Sequence, residues 1–381
     1  MDFFRFLMSD VLSEPAVLVG LIALIGLIAQ KKPVTECIKG TVKTIMGFVI
    51  LGAGAGLVVS SLGDFANIFQ HAFGIQGVVP NNEAIVSVAQ KSFGKEMAMI
   101  MFFAMVINIM IARFTPWKFI FLTGHHTLFM SMMVAVILAT AGMTGVTLIA
   151  VGSLVVGVAM VFFPAIAHPY MKKVTGSDDV AIGHFSTLSY VLAGFIGSKF
   201  GNKEHSTEDM NVPKSLLFLR DTPVAISFTM SIIFLVTCLF AGADAVKELS
   251  GGKNWFMFSI MQSITFAAGV YIILQGVRMV IAEIVPAFKG ISDKLVPNAR
   301  PALDCPVVFP YAPNAVLVGF LSSFAAGLIG MFTLYLLNMI VIIPGVVPHF
   351  FVGAAAGVFG NATGGRRGAI LGAFAQGLLI T

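Results

Sequence analysis

The chain has 381 residues, 57% of them from the set AVILMFWYC and only 11% charged, where soluble domains carry about 25% charged residues. At a mean hydropathy of +0.95 a soluble fold would have too little polar surface to cover itself. Three cysteines exclude a disulfide scaffold, and a net charge of +5 spread over short loops excludes a nucleic-acid-binding face. The sequence therefore reads as an all-α polytopic membrane protein embedded in a lipid bilayer.

In chain order, apolar stretches of about the 17–25 residues that cross a bilayer are predicted at 15–30, 44–62, 97–115, 119–142, 145–167, 222–243, 255–280, 313–337, 338–357 and 367–381. Lys and Arg concentrate in cytoplasmic loops. Lys31, Lys32, Lys39 and Lys43 follow the first span, and Arg113 and Lys118 the third. Lys172 and Lys173 follow the fifth, Lys289, Lys294 and Arg300 the seventh, and Arg366 and Arg367 the ninth. This alternation puts the N-terminus outside. Three stretches fit no full span: 76–93 and 293–312, broken by Pro, Asn and charge, and 180–198, apolar with basic flanks on both sides. Each reads as a re-entrant hairpin, which is tolerated at membrane depth only where protein or a cavity satisfies its backbone.

The two halves echo one another at an offset of 215 to 222. IMGFVILGAG (45–54) matches IMQSITFAAG (260–269), AFGIQGVVPNNEA (72–84) matches AFKGISDKLVPNARPA (287–302), and TGHHTLF (123–129) matches PGVVPHF (344–350). The chain divides into a first repeat (1–167, with hairpin 76–93), a re-entrant stretch and cytoplasmic loop (168–221), and a second repeat (222–381, with hairpin 293–312). Five spans per copy is an odd number, so the second copy enters the membrane upside down. An inverted 5+5 transmembrane repeat with re-entrant hairpins is the architecture of transporters that bind substrate near the midplane.

Ionisable side chains at membrane depth are costly and mark function. Glu83 and Asn82 lie in the first VPN hairpin and Asp304 in its counterpart. His125 and His126 follow Gly124 at a span interruption, and His184 lies in the re-entrant stretch. Together they offer acceptors and donors for one multi-hydroxyl ligand. His71, His168 and His349 read as interfacial, Asp178 and Asp179 as solvated, and Asp304 as either a ligand group or a partner of Arg300. GNATGGRRG (360–368) reads as a loop, with Arg366 and Arg367 either anchoring it or touching a phosphate. Cys37, Cys238 and Cys305 have no metal-type spacing. With no Walker A pattern and no triad, no catalytic residue, metal or cofactor is expected, and the chain reads as a transport component rather than an enzyme.

KGTVKTIMGF (39–48), LTGHHTLF (122–129), IGHFS (182–186), QGVRMVIAE (275–283), ALDC (302–305), YAPNAVLVGF (311–320) and IIPGVVPHFF (342–351) together resemble the membrane IIC component of the ascorbate-type sugar phosphotransferase system, a bacterial permease family. The resemblance covers nearly the whole chain. It implies a homodimer of eleven-span protomers in the bacterial cell membrane; the eleventh span is missing here, since the sequence stops in an apolar run at Thr381. It implies uptake of L-ascorbate, phosphorylated on arrival by IIB with phosphate relayed from phosphoenolpyruvate through IIA. It implies ligand contacts at Asn82 and Glu83, at His125 to Phe129 (His126, Thr127 and Leu128 between them), at His184 and Phe185, and at Asp304. Asn82, Glu83, Phe129 and Phe185 depart from better-known members, which carry Thr, Tyr and Gln there, so a related sugar acid or pentitol is also open. The rival reading is an ion-coupled secondary transporter for a sugar acid, with Glu83 and Asp304 as proton or sodium sites.

Overall fold

The computed structural model describes residues 15–74, 77–78, 82–210, 215, 218–219 and 221–381. In chain order these form α1 (Pro15–Ala29), α2 (Val34–Phe73), β1 (Gly77–Val78), α3 (Asn82–Phe114), β2 (Phe119–Phe121), α4 (Gly124–Thr140), α5 (Gly145–Thr175), β3 (Ala181–Ile182) and α6 (Thr187–Phe200). There follow α7 (Thr222–Ala241), α8 (Ala243–Leu249), α9 (Trp255–Leu295), β4 (Arg300–Leu303), a 3-10 turn (Cys305–Tyr311), α10 (Pro313–Leu336), β5 (Val341–Ile342) and α11 (Val346–Leu379). Among the described residues seven helices are long and apolar enough to cross a bilayer, and α4 is a shorter apolar helix. The protein is thus a largely helical, multi-pass membrane protein.

Two long helices, α2 and α5, stop where the chain supplies a left-handed glycine. Gly74 (φ 65°) and Gly176 (φ 71°) end α2 and α5, donating their N–H groups to Gln70 O and Lys172 O. Asn298, in the second VPN turn, also adopts positive φ (59°). The first VPN turn, residues 79–81, lies outside the described residues.

With no bulk water between them, apolar helices associate through close packing of small residues. α2 and α9 run antiparallel along a glycine seam: a Cβ on Gly47 would lie 2.6 Å from Gly276 O, and one on Gly54 would lie 2.9 Å from Gly269 O. Further along, Ser61 Oγ donates to Gln262 O at 2.9 Å and Gln262 Nε2 to Asp64 at 2.7 Å. α10 packs antiparallel on the first half of α11, through Gly319 against Gly353 and Gly357.

α11 contains a reversal. Gly364 (φ −149°, ψ 20°) and Gly365 (φ 59°, ψ −155°) leave helical geometry, and a Cβ on Gly360 would sit 2.3 Å from Gly368 O. The spans expected at 338–357 and 367–381 are therefore two helical arms folded back on one another, and GNATGGRRG is their glycine elbow rather than a loop. The segment 201–207 clasps this elbow: Asn202 N–H donates to Gly364 O, Arg366 N–H to His205 O, and Thr207 N–H to Asn361 Oδ1, at 2.8, 2.7 and 2.9 Å.

Five very short strands satisfy the backbone between helices. β1 pairs with β5, and a second sheet has the order β2–β4–β3, every pairing parallel. Buried Asn108 on α3 locks β2 in place, donating to Phe119 O and accepting from Phe121 N–H, both at 3.0 Å. His349, expected to be interfacial, is only 1% exposed, where its Nδ1–H donates to Ser323 Oγ at 2.7 Å while that hydroxyl donates to Gln376 Oε1.

The seam gives a direct test. Gly54→Leu should lower stability in detergent by about 1–3 kcal/mol, since overpacking forces backbone apart. Gly52→Ala, whose new methyl meets nothing within 4 Å and which favours the helix, should not lower the thermal unfolding midpoint.

Candidate functional site

Three parallel strands run in the same direction and end together. β2 continues through Leu122 and Thr123 into the first turn of α4, delivering His125 and His126. β3 continues through Gly183 to His184 and Phe185, just before α6. β4 ends at Leu303, so Asp304 caps the 3-10 turn. Two hydrogen bonds extend the sheet into the site: Leu122 N–H donates to Ala302 O at 2.9 Å, and Gly183 N–H to Leu303 O at 2.7 Å. Gly183 is required because a Cβ there would lie 2.6 Å from Ala302 O.

His125 Nε2 lies 3.4 Å from Asp304 Oδ2. The other carboxylate oxygen, Asp304 Oδ1, accepts from Cys305 N–H at 2.7 Å. His184 Nδ1 accepts from Ser186 N–H at 3.0 Å, which places its ring proton on Nε2. The ring of His126 stands 3.7 Å from that of His184 and 4.8 Å from that of His125, centroid to centroid. Aromatic groups enclose one side: Phe185 stacks on His126 at 15° and meets Phe121 and Phe163, and Phe129 meets His125 edge-on. Neither α4 nor α6 has a side-chain cap at its start. In α6 the Thr187 and Ser189 N–H groups donate to His184 O and Ser186 O, and the positive dipole ends of both helices favour anions and hydroxyls.

Of the residues expected here, the structure brings together His125, His126, His184, Phe129, Phe185 and Asp304. Thr127 and Leu128 turn away: the Thr127 hydroxyl donates to Thr123 O, and Leu128 is fully enclosed in the core. α3 begins at Asn82, but the side chains of Asn82 and Glu83 lie outside the described residues. Sequence reasoning passed over three neighbours. Cys305 and Tyr190 are fully buried, side by side and near Asp304, and Arg278 on α9 acts electrostatically on His125. Arg278 carried a signal, being a charge within the stretch 255–280.

Beneath the strands lies an ionic knot that sequence reasoning dispersed. Asp178, expected to be solvated, is indeed exposed, while His168, expected to be interfacial, is buried; what the sequence did not show is that Asp178 accepts from His168 Nε2 at 2.6 Å, Lys172 Nζ at 2.7 Å and Arg300 at 2.7 Å. Arg300 also donates to Asp178 O and lies over the Phe119 ring. Arg300 is thus the partner of Asp178, and Asp304 is left for the site. The Lys172 ammonium, then His168 and Arg300, hold the Asp178 carboxyl well below the usual carboxylate range.

Residues 10–381 match the family model of the PTS system sugar-specific permease component, EIIC-GAT. The chain is similar to the ascorbate-specific PTS system EIIC component of Mycoplasma pneumoniae, at 27% identity over 427 residues. That match covers 96% of this chain and 64% of the relative, so the chain spans less than two thirds of the relative's length.

The knot predicts a pH window. A carboxylate depressed in the folded state contributes stability that is fully present above its unfolded value of about 3.9 and is lost progressively as pH falls from there through the lower folded value. Hydrogen-exchange protection of Ala181 and Ile182 should hold from neutrality to about pH 4 and fall below it. Asp178→Asn should reduce that protection already at pH 7.

Proposed function

The chain belongs to the sugar-specific permease components of the phosphotransferase system, and from that premise we propose that it is a IIC subunit carrying L-ascorbate or a closely related sugar acid across the bacterial membrane. The observation that carries this reading is the meeting of His125, His184 and Asp304 at the ends of three parallel strands, beside the starts of two helices that lack side-chain caps. Imidazole and backbone N–H groups donate to ring hydroxyls, and Asp304 accepts from them. Phe129 and Phe185, where better-known members carry polar groups, give the ligand an apolar wall and favour a guest with one flat face. Asn82 and Glu83 would close the site from α3, with Thr127 and Leu128 setting the first turn of α4 behind it.

The inverted repeat belongs to the same proposal, with 1–167 and 222–381 as its copies and 168–221 between them. Its support is crosswise contact. Phe119 and Val341, Gly124 and Val346, and Phe114 and Leu336 all stand 222 positions apart, each pair at matching element ends. At that offset, seven residues on from the match of 45–54 with 260–269, Gly47 corresponds to Gly269 and Gly54 to Gly276. The contact of Gly47 with Gly276 is then the image of the contact of Gly269 with Gly54. A two-fold relation that makes equivalent helices antiparallel inverts one copy in the membrane.

As a IIC subunit the chain would act as a homodimer, with its N-terminus outside. The core would close on the sugar from the outer face, shift, and present it to IIB, itself recharged through IIA. Phosphorylation adds about −1.5 to −2 charges, so the product would no longer suit a site already holding Asp304.

Labelled ascorbate should accumulate in vesicles only when IIB, IIA, the general phosphotransferase proteins and phosphoenolpyruvate are supplied inside. Equal accumulation without them would remove the coupling. Asp304→Asn and His184→Ala should each weaken ligand binding by about ten-fold or more, roughly one strong hydrogen bond to a charged group, while membrane insertion is unchanged. Equilibrium binding to the purified variants checks this.

A further inference from the structure

We infer that the cluster at the strand ends also takes a divalent transition-metal ion, held by Asp304, His125 and His126 with His184 alongside. The inference rests on the substrate site proposed above, because the ion and the sugar acid would share Asp304.

One ligand atom from each of His125, His126 and Asp304 lies within 4.8 Å of the other two, and the same is true of His184, Asp304 and Cys305. Donors at about 2.0–2.2 Å from a metal stand roughly 2.8–3.6 Å apart across adjacent octahedral to tetrahedral angles. The 3.4 Å between His125 Nε2 and Asp304 Oδ2 is already at that spacing, and the other pairs, within 4.8 Å, need to close by at most about 1.2 Å to reach the tetrahedral value. Protein hydrogen bonding does not account for the cluster: His126 Nδ1 is buried with no partner among the described residues. The rings of His126 and His184 approach to 3.7 Å with no hydrogen bond between them.

Charge points the same way. An anionic sugar acid placed against the Asp304 carboxylate is opposed by like-charge repulsion, which grows as water is excluded. A divalent cation between the Asp304 carboxylate and the singly charged ligand anion makes the assembly neutral, and adjacent oxygens of the ligand complete its coordination. Imidazole with carboxylate selects zinc, cobalt or nickel over magnesium or calcium, which prefer all-oxygen sites. The sequence hides such a site, because His184 and Asp304 join the adjacent pair His125–His126 only through the strand pairing of β2, β4 and β3.

The test uses the full chain in detergent, stripped with a chelator and titrated with cobalt(II) without sugar. One cobalt per chain should bind, with visible d–d absorption of a low-symmetry nitrogen–oxygen site. Asp304→Asn and His126→Gln, each checked for native elution and unfolding midpoint, should weaken cobalt binding by ten-fold or more. Adding ascorbate to the cobalt-loaded chain should shift the spectrum. Absence of stoichiometric cobalt binding, or binding indifferent to both substitutions, overturns the inference, as does ascorbate binding that is equally tight before and after stripping. A cobalt site that answers to both substitutions while ascorbate binds neither form would sustain the metal site and refute the substrate reading instead.

Discussion

Every backbone N–H and C=O inside a bilayer must find its partner within the protein, because an unpaired group in hydrocarbon costs several kcal/mol. Helices meet this demand alone; the segments between them cannot. Here the demand is met by strands of two to four residues that pair across large sequence distances, β1 with β5 and β4 with both β2 and β3. The rest of the site follows from these pairings. Since β2, β3 and β4 are parallel, the residues after each strand emerge at one end, and three imidazoles and a carboxylate meet there without a loop of any length.

The close fit of the helices serves that arrangement. Glycine seams bring α2 against α9 and α10 against α11 at backbone distance, and the Asp178 knot ties α5 to β4 from below. The knot is built from exposed ends of long side chains, but it also fixes Arg300, whose backbone N–H donates to Lys118 O at 2.7 Å. The strand that ends in Asp304 is therefore held at its start by charge and along its length by pairing.

Much of this was legible in the sequence, and the reason is hydropathy. Apolar runs of spanning length found most of the long helices, and ionisable residues inside apolar surroundings found His125, His184 and Asp304. What could not be read was pairing at a distance. Asp178 looked unpaired because its partners lie 6 and 10 residues behind it and 122 residues ahead. The reversal at Gly364–Gly365 looked like a loop because helical propensity says nothing about a chain that folds back on itself. The contact of His126 with His184 left no trace in spacing, for it depends on β4 lying between β2 and β3.

The strand pairings have a consequence for biosynthesis. Each sheet joins a partner from before residue 122 to one from after residue 299. When the first half has left the ribosome, β1 and β2 have no complement: the partner of β2 begins 179 residues after it and that of β1 263 residues after it. Insertion of this chain cannot be a march of independent helices. The early part must wait at the translocon, or in water-accessible surroundings, for a late part that completes it.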